Sequence, residues 1–201
     1  MGSDVVLSMK SRQQLRKAMR QTRRALSPQQ RECAARQFAQ RFSKTRLFIN
    51  SQHVAFYMTN DGELDPLPLM DIAWSMGKTC YLPVLDAPYQ KKLLFAQYRK
   101  KDPVIFNRYG IAEPVVAACR RVRAQQLDLV LTPLVAFDRR GNRIGMGGGF
   151  YDRSFAFLRQ REQWIKPRLV GVGYSFQEID AIEGQSWDVP LSAIATDCGL
   201  T

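Results

Sequence analysis

Residues 128–152 read DLVLTPLVAFDRRGNRIGMGGGFYD, and this stretch decides the fold. Leu129, Val130 and Leu131, then Leu134, Val135, Ala136 and Phe137, form an apolar, partly β-branched run around Thr132 and Pro133. That is the pattern of a strand covered on both faces, ending near Pro133. Beyond it lie Asp138, Arg139, Arg140 and Arg143, then Gly145, Gly147, Gly148 and Gly149, before Phe155 and Leu158 resume a helical spacing over 151–158. Strand, glycine-rich loop and helix start together bring backbone N–H groups and the positive end of a helix dipole onto an anion. Glycine suits such a loop because a backbone curling around phosphate oxygens needs positive φ angles and no Cβ in the way. Taken alone, a glycine-rich segment is as well read as a mobile turn; the arginines and aspartates beside it point to a phosphate cradle.

Two common phosphate motifs are excluded. A P-loop needs glycine five residues before Gly77, Lys78 and Thr79, where Ile72 stands. A dinucleotide fingerprint begun at Gly145 and Gly147 needs glycine at 150, where Phe150 stands.

The stretch from 133 to 155, PLVAFDRRGNRIGMGGGFYDRSF, resembles the signature of the 5-formyltetrahydrofolate cyclo-ligase family, also called 5,10-methenyltetrahydrofolate synthetases. The resemblance extends outward. Arg12-Gln-Gln-Leu15-Arg16 is similar to the family's Lys-x-x-Leu-Arg at the ATP site, with arginine for lysine, which keeps charge but changes its shape. Gly62-Glu63-Leu64-Asp65-Pro66 resembles its Gly-Glu-x-x-Thr element, with proline for threonine, and Tyr109-Gly110-Ile111-Ala112-Glu113-Pro114 its Gly-x-x-Glu-Pro turn. Trp187-Asp188 stands where the family has His-Asp, and Met146 and Gly148 stand where some members carry basic residues.

The resemblance implies ATP-dependent cyclisation of 5-formyltetrahydrofolate to 5,10-methenyltetrahydrofolate, with ATP and Mg²⁺ as cofactors. It assigns Arg143 and the amides of Gly145, Met146, Gly147, Gly148 and Gly149 to phosphates, with Arg12 and Arg16 closing the nucleotide side. Phe150 and Tyr151 complete the ATP side, and Arg143 and Tyr151 are the catalytic pair. Met58, Glu63, Met146 and Phe150 are assigned to the folate, Glu63 accepting from the pterin's N–H edge. Asp152 and Asp188 are assigned to the metal, since two carboxylates plus phosphate oxygens and water suit Mg²⁺. Pro83, Leu94 and Phe95 are further pocket candidates, though core packing explains them equally well.

Elsewhere the pattern reads as strands at 53–57, 78–84, 93–98, 168–174 and 193–197, and helices at 9–26, 28–41 and 66–76. Ser27 before Pro28 is an N-cap with proline at the first helical position. Strands alternating with helices imply an α/β fold with a mostly parallel central sheet. The resemblance adds a three-layer sandwich with helices on both faces.

The 201 residues, 45% hydrophobic, suit one domain, with 1–8 set aside as a tag-like or disordered leader and Met9 as a natural start. No apolar run approaches the roughly 20 residues that span a bilayer, and no signal-peptide core is present, so a cytoplasmic protein away from membranes is expected. Cys33, Cys80, Cys119 and Cys198 are far apart and His53 is the one histidine, which argues against zinc or a disulfide framework. Monomer is the default expectation. The net charge of +12 favours anionic partners. Arg12, Arg16, Arg20, Arg23 and Arg24 leave a nucleic-acid-binding module as one rival, although no recognised motif supports it. A sugar-phosphate or acyl-transfer enzyme on a related fold is the other.

Overall fold

The computed structural model describes residues 4–85, 92–117, 120–161 and 166–201, with side chains of the first helix described from Arg12 onward. Pro88, Gln90 and Lys91, read as part of a polar turn, and Cys119 lie outside the described residues.

The chain opens with helices α1 (Asp4–Ala25), α2 (Pro28–Phe42) and α3 (Arg46–Ile49), then strand β1 (His53–Ala55), helix α4 (Leu67–Ser75) and strand β2 (Thr79–Leu85). Strands β3 (Leu93–Gln97), β4 (Val104–Phe106), β5 (Ala112–Pro114) and β6 (Arg121–Val122) follow. The signature region supplies β7 (Leu129–Pro133), β8 (Ala136–Phe137), β9 (Arg143–Ile144) and helix α5 (Phe150–Ser154). Strands β10 (Arg168–Val172) and β11 (Ala193–Ala195) close the chain.

The central sheet runs β11-β10-β7-β1-β2-β3-β6. Every pairing from β11 to β2 is parallel, while β3 and β6 add antiparallel edges. Alternation along the strands sends Val54, Cys80, Leu82, Leu129, Leu131 and Val170 to one face, against Phe38, Phe42, Leu69, Met70 and Ala73 of α2 and α4. Ala55, Tyr81, Phe95, Val130 and Leu169 face the other way, toward Phe155, Leu127 and Val189. Each fully buried phenylalanine of this kind contributes about 1.5–3 kcal/mol. The α/β sandwich expectation holds, but the two outer layers differ: one is built of full helices, the other of α5 and single 3-10 turns such as Ala124–Gln126 and Ala156–Gln160.

Helix α2 starts where Ser27 and Pro28 indicate. The Gln30 amide donates to Ser27 Oγ at 3.2 Å and the Ser27 amide to Gln30 Oε1 at 2.8 Å, a reciprocal capping box. Two expectations need correction. First, strand and glycine loop are not contiguous, because β8 and β9 pair as a hairpin between them. Asp138, fully buried, holds that hairpin's turn by accepting from the amides of Arg140, Asn142 and Ile182 at 2.9–3.0 Å. Burial alone would raise its carboxyl, and those bonds bring it below the usual value. Second, the helix expected over 151–158 ends at Ser154 and continues only as a 3-10 turn.

Two core glycines let β10 pack unusually close to its neighbours. A Cβ on Gly171 would lie 2.6 Å from Leu191 Cδ1 and 2.7 Å from Leu134 Cδ2, so β10 lies flush against both leucines. Gly173 is pressed on Leu134 in the same way, at 2.6 Å.

Candidate active site

The first half of the candidate site is where α1 meets the glycine loop. Arg12, Leu15, Arg16, Met19, Arg20 and Arg23 form the partly or fully buried stripe of α1, at helical spacing. Arg16 donates from Nε to the Gly145 carbonyl at 2.9 Å. Arg12 reaches the Glu183 carbonyl and stands 3.7 Å from Asp188 Oδ2. Burial lowers the Arg16 pKa, the neighbouring Arg12 charge lowers it further, and Asp188 opposes both. Gly147 at φ 97 and Gly149 at φ 63 occupy the left-handed region that the loop's curl requires. Among the described residues, no acceptor takes the backbone N–H groups of Gly145, Met146, Gly147, Gly148 or Gly149. Met146 is exposed, while Phe150 folds back so closely that a Cβ on Gly148 would meet its ring at 2.9 Å. A cavity of about 190 Å³ opens beside Arg12, lined by Leu15, Ile144, Ile179, Ala181 and Ile182.

The centre is Arg143, buried on β9. Its Nη2 donates to Asp152 Oδ1 at 2.6 Å and its Nη1 to the Val189 carbonyl at 2.9 Å. The Val189 amide donates back to Asp152 Oδ1 at 3.3 Å. Arginine, aspartate and the chain beside Asp188 are therefore one unit. Asp188 Oδ2 accepts from the Gln185 amide at 2.9 Å. Among the described residues no three His, Cys, Asp or Glu side chains cluster to hold a metal alone. Asp152 and Asp188 offer hard oxygen atoms, and a set this small fits Mg²⁺ when phosphate oxygens and water complete its shell.

The second half is a group of titratable side chains, Tyr57 and Tyr174 buried and Glu63, Asp65 and Tyr151 half-buried. Tyr57 donates to the Leu64 carbonyl at 2.5 Å, and Tyr174 to the Glu63 carbonyl at 3.4 Å. Desolvation lifts the Glu63 carboxyl to about 7, against the Asn60 amide and the Arg23 charge, which lower it. Desolvation likewise raises Asp65, Tyr57, Tyr151 and Tyr174. For the Tyr151 hydroxyl burial is the main cause; the Glu63 charge raises it further and the Arg143 charge opposes both. Met58 packs against the α2 side of the core next to this group. Phe150 meets Tyr109 edge-on at 5.7 Å.

Arg12, Arg16, Arg143, the glycines, Asp152 and Asp188 thus come together at one end of α1. Three arginines read as a basic face do not join them: Arg20, Arg23 and Arg24 all close on Asp61. Arg139 lies on the surface, paired with Glu178 at 2.5 Å. Sequence reasoning missed Asp61, Tyr57 and Tyr174. The signal for Asp61 was present, as a lone acid in a turn facing a run of arginines at helical spacing.

The sequence model of the 5-formyltetrahydrofolate cyclo-ligase family matches residues 8–197. The chain is 39% identical to the 5-formyltetrahydrofolate cyclo-ligase of Escherichia coli (strain K12) over 178 residues, 89% of this chain and 96% of that protein. It is 35% identical to the enzyme of the same name from Haemophilus influenzae over 187 residues, 92% of this chain and 97% of that one. Its fold is similar to the solved structure of Aquifex aeolicus 5,10-methenyltetrahydrofolate synthetase, with a TM-score of 0.79 at 28% identity, covering 94% of this chain and 91% of the other. A family signature running nearly end to end, with relatives this similar over their whole length, establishes that this chain belongs to the 5-formyltetrahydrofolate cyclo-ligase family.

Proposed function

We propose that this enzyme closes the ring of 5-formyltetrahydrofolate with ATP, giving 5,10-methenyltetrahydrofolate, ADP and phosphate. The chemistry explains the need for ATP. Ring closure by N10 on the formyl carbon must expel that carbon's oxygen, a very poor leaving group. Transfer of the γ-phosphoryl group to the formyl oxygen breaks the bond to ADP and makes the oxygen a good leaving group. The N10 lone pair then forms the new C–N bond, and the oxygen departs with phosphate.

One observation carries this reading: Arg12 and Arg16 of α1 and Arg143 of β9 gather on the glycine loop beside Asp152 and Asp188. Phosphoryl transfer is mostly positioning and charge stabilisation, so a site of arginines, amides and aspartates needs no protein nucleophile. Arg143, clamped between Asp152 and the Val189 carbonyl, meets the transferring group with its orientation already fixed. Arg12, Arg16 and the amides at 145–149 hold the phosphates, and the cavity that Leu15 and Ile144 line with Arg12 and Glu183 suits the base. Burial keeps the Tyr151 hydroxyl protonated, so it acts as a hydrogen-bond donor toward developing charge. Glu63 receives the pterin's N–H edge, and Met58, Met146 and Phe150 are the further side chains assigned to the folate. Mg²⁺, when bound with ATP, supplies charge neutralisation at the phosphates, and Asp152 and Asp188 are the side chains assigned to it. The enzyme works as a cytoplasmic monomer in this reading; no described helix is long and apolar enough to cross a membrane.

The test is to mix protein with 5-formyltetrahydrofolate and follow methenyl absorbance with and without ATP and Mg²⁺. Absorbance that grows only with ATP supports the proposal. Growth without ATP points to a different enzyme on this fold. No growth, with steeply salt-dependent nucleic-acid binding, points to the basic module.

A further inference from the structure

Helix α1 touches both halves of the site. Arg12 and Arg16 meet segment 183–188 and Gly145, while Arg20, Arg23 and Arg24, a turn or two further along, converge on one carboxylate. Arg20 Nε donates to Asp61 Oδ2 at 2.6 Å, Arg23 Nη2 donates to the same oxygen at 3.0 Å, and Arg24 takes Oδ1. Arg23 is only 1% exposed and donates again to the Asp61 carbonyl at 2.8 Å and to the Leu134 carbonyl at 3.4 Å. Burial would raise the Asp61 carboxyl, but the bonds from Arg20 and Arg24 hold it below its usual value, so it stays ionised.

The turn that carries Asp61 is pressed onto the helix. Asp61 adopts φ 54, rare for a residue with a side chain, and Gly62 follows at φ 72. A Cβ on Gly62 would lie 3.2 Å from the Arg23 carbonyl. The next residue is Glu63. Its amide donates to the Asn60 carbonyl at 3.1 Å, and its Oε2 accepts from the Asn60 amide at 3.0 Å. Residues 60–63 are thus a closed loop whose ion pairs with α1, among the described residues, all fall on Asp61. A single arginine would pin such a loop; three arginines on one aspartate in a strained conformation fix its distance along the helix.

We propose that Asp61 is a positioning residue that couples the two ligand sites: a nucleotide gripped by Arg12 and Arg16 steadies α1, and through Asp61 this sets Glu63 for the pterin. The inference rests on the proposed ATP-dependent ring closure. Coupling of this kind is reciprocal, so the folate tightens the nucleotide by the same factor.

The experiment measures binding of 5-formyltetrahydrofolate with and without a non-hydrolysable ATP analogue, and of the analogue with and without folate, in native protein and in Asp61→Asn. Native protein is expected to show one mutual factor of about fivefold or more. In Asp61→Asn that factor falls below about twofold, while each ligand alone binds within about threefold of its native affinity. A loss of stability alone would leave the factor unchanged. If Asp61→Asn does not fold, the double variant Arg20→Gln/Arg24→Gln keeps the buried Arg23 pair, and its factor is expected to fall by at least about half. A native factor of one, or a native-sized factor in the folded variant, overturns the proposal. Native protein that forms no methenyl product breaks the functional reading, and this inference with it; turnover with the coupling intact in Asp61→Asn breaks this inference alone.

Discussion

The two halves of the site are built on opposite electrostatic principles. Around the glycine loop each arginine carries a full charge and has its partner within reach: Arg143 with Asp152, Arg12 with Asp188, Arg16 with a carbonyl. Around Glu63 the titratable groups are desolvated and shifted toward their neutral forms. The difference matches the two substrates. A triphosphate needs fixed positive charge, and pairing the arginines beforehand prevents their mutual repulsion from destabilising the fold. A pterin needs directional hydrogen bonds, which gain strength in a dry pocket.

The strongest way to break this contrast is Arg143→Ala. Removing a fixed charge that stabilises a transferring group lowers kcat by about a hundredfold. Steady-state methenyl formation reads this, and unchanged turnover would remove Arg143 from the site. Next is Glu63→Gln, expected to lower kcat/KM for the folate by about tenfold above pH 7, the loss of a hydrogen bond to a charged acceptor. In native protein kcat/KM should rise with pH through about 7, and the glutamine variant should lose that rise. Stability moves the opposite way. The folded carboxyl is raised from 4.5 to about 7, so its ionisation weakens folding, not at all below 4.5 and fully above 7. Glu63→Gln is therefore expected to raise Tm at pH 8 and leave it unchanged at pH 4. Asp152→Asn sharpens the charged half: the Mg²⁺ concentration for half-maximal rate should rise several-fold, about two to ten, as a carboxylate ligand is lost. An identical Mg²⁺ titration would leave Asp152 only its bond to Arg143. Arg139→Ala is the smallest. Its ion pair with Glu178 is solvent-screened, so Tm and kinetics should not move; a fall in rate would place it in the charged half.

Much of the charged half was legible because its elements are local. The glycines, Arg143 and Asp152 lie within one stretch, and the Arg12 and Arg16 spacing is itself helical. The sheet was legible for the same reason: apolar runs such as 129–131 and 168–172 mark buried parallel strands. What escaped reading was set by distant partners. Asp138 and Asp61 look like ordinary turn residues until the Ile182 amide and three arginines are brought to them. The short α5 reflects Ser154, whose Oγ donates to the Phe150 carbonyl and accepts from the Leu93 amide, stitching the helix to β3 at the point where it stops. The buried tyrosines Tyr57 and Tyr174 follow β1 and β10, strands far apart in the chain, and no spacing announces them.

The flush packing at Gly171 reaches further than the core. Leu191, which lies against it, is two residues from Val189, the residue whose carbonyl and amide orient Arg143 and Asp152. One methyl group added in the middle of β10 would wedge that segment outward and turn the guanidinium away from its line of approach. An inner strand of the sheet thereby acts as the gauge for the arginine and aspartate that Val189 holds in place.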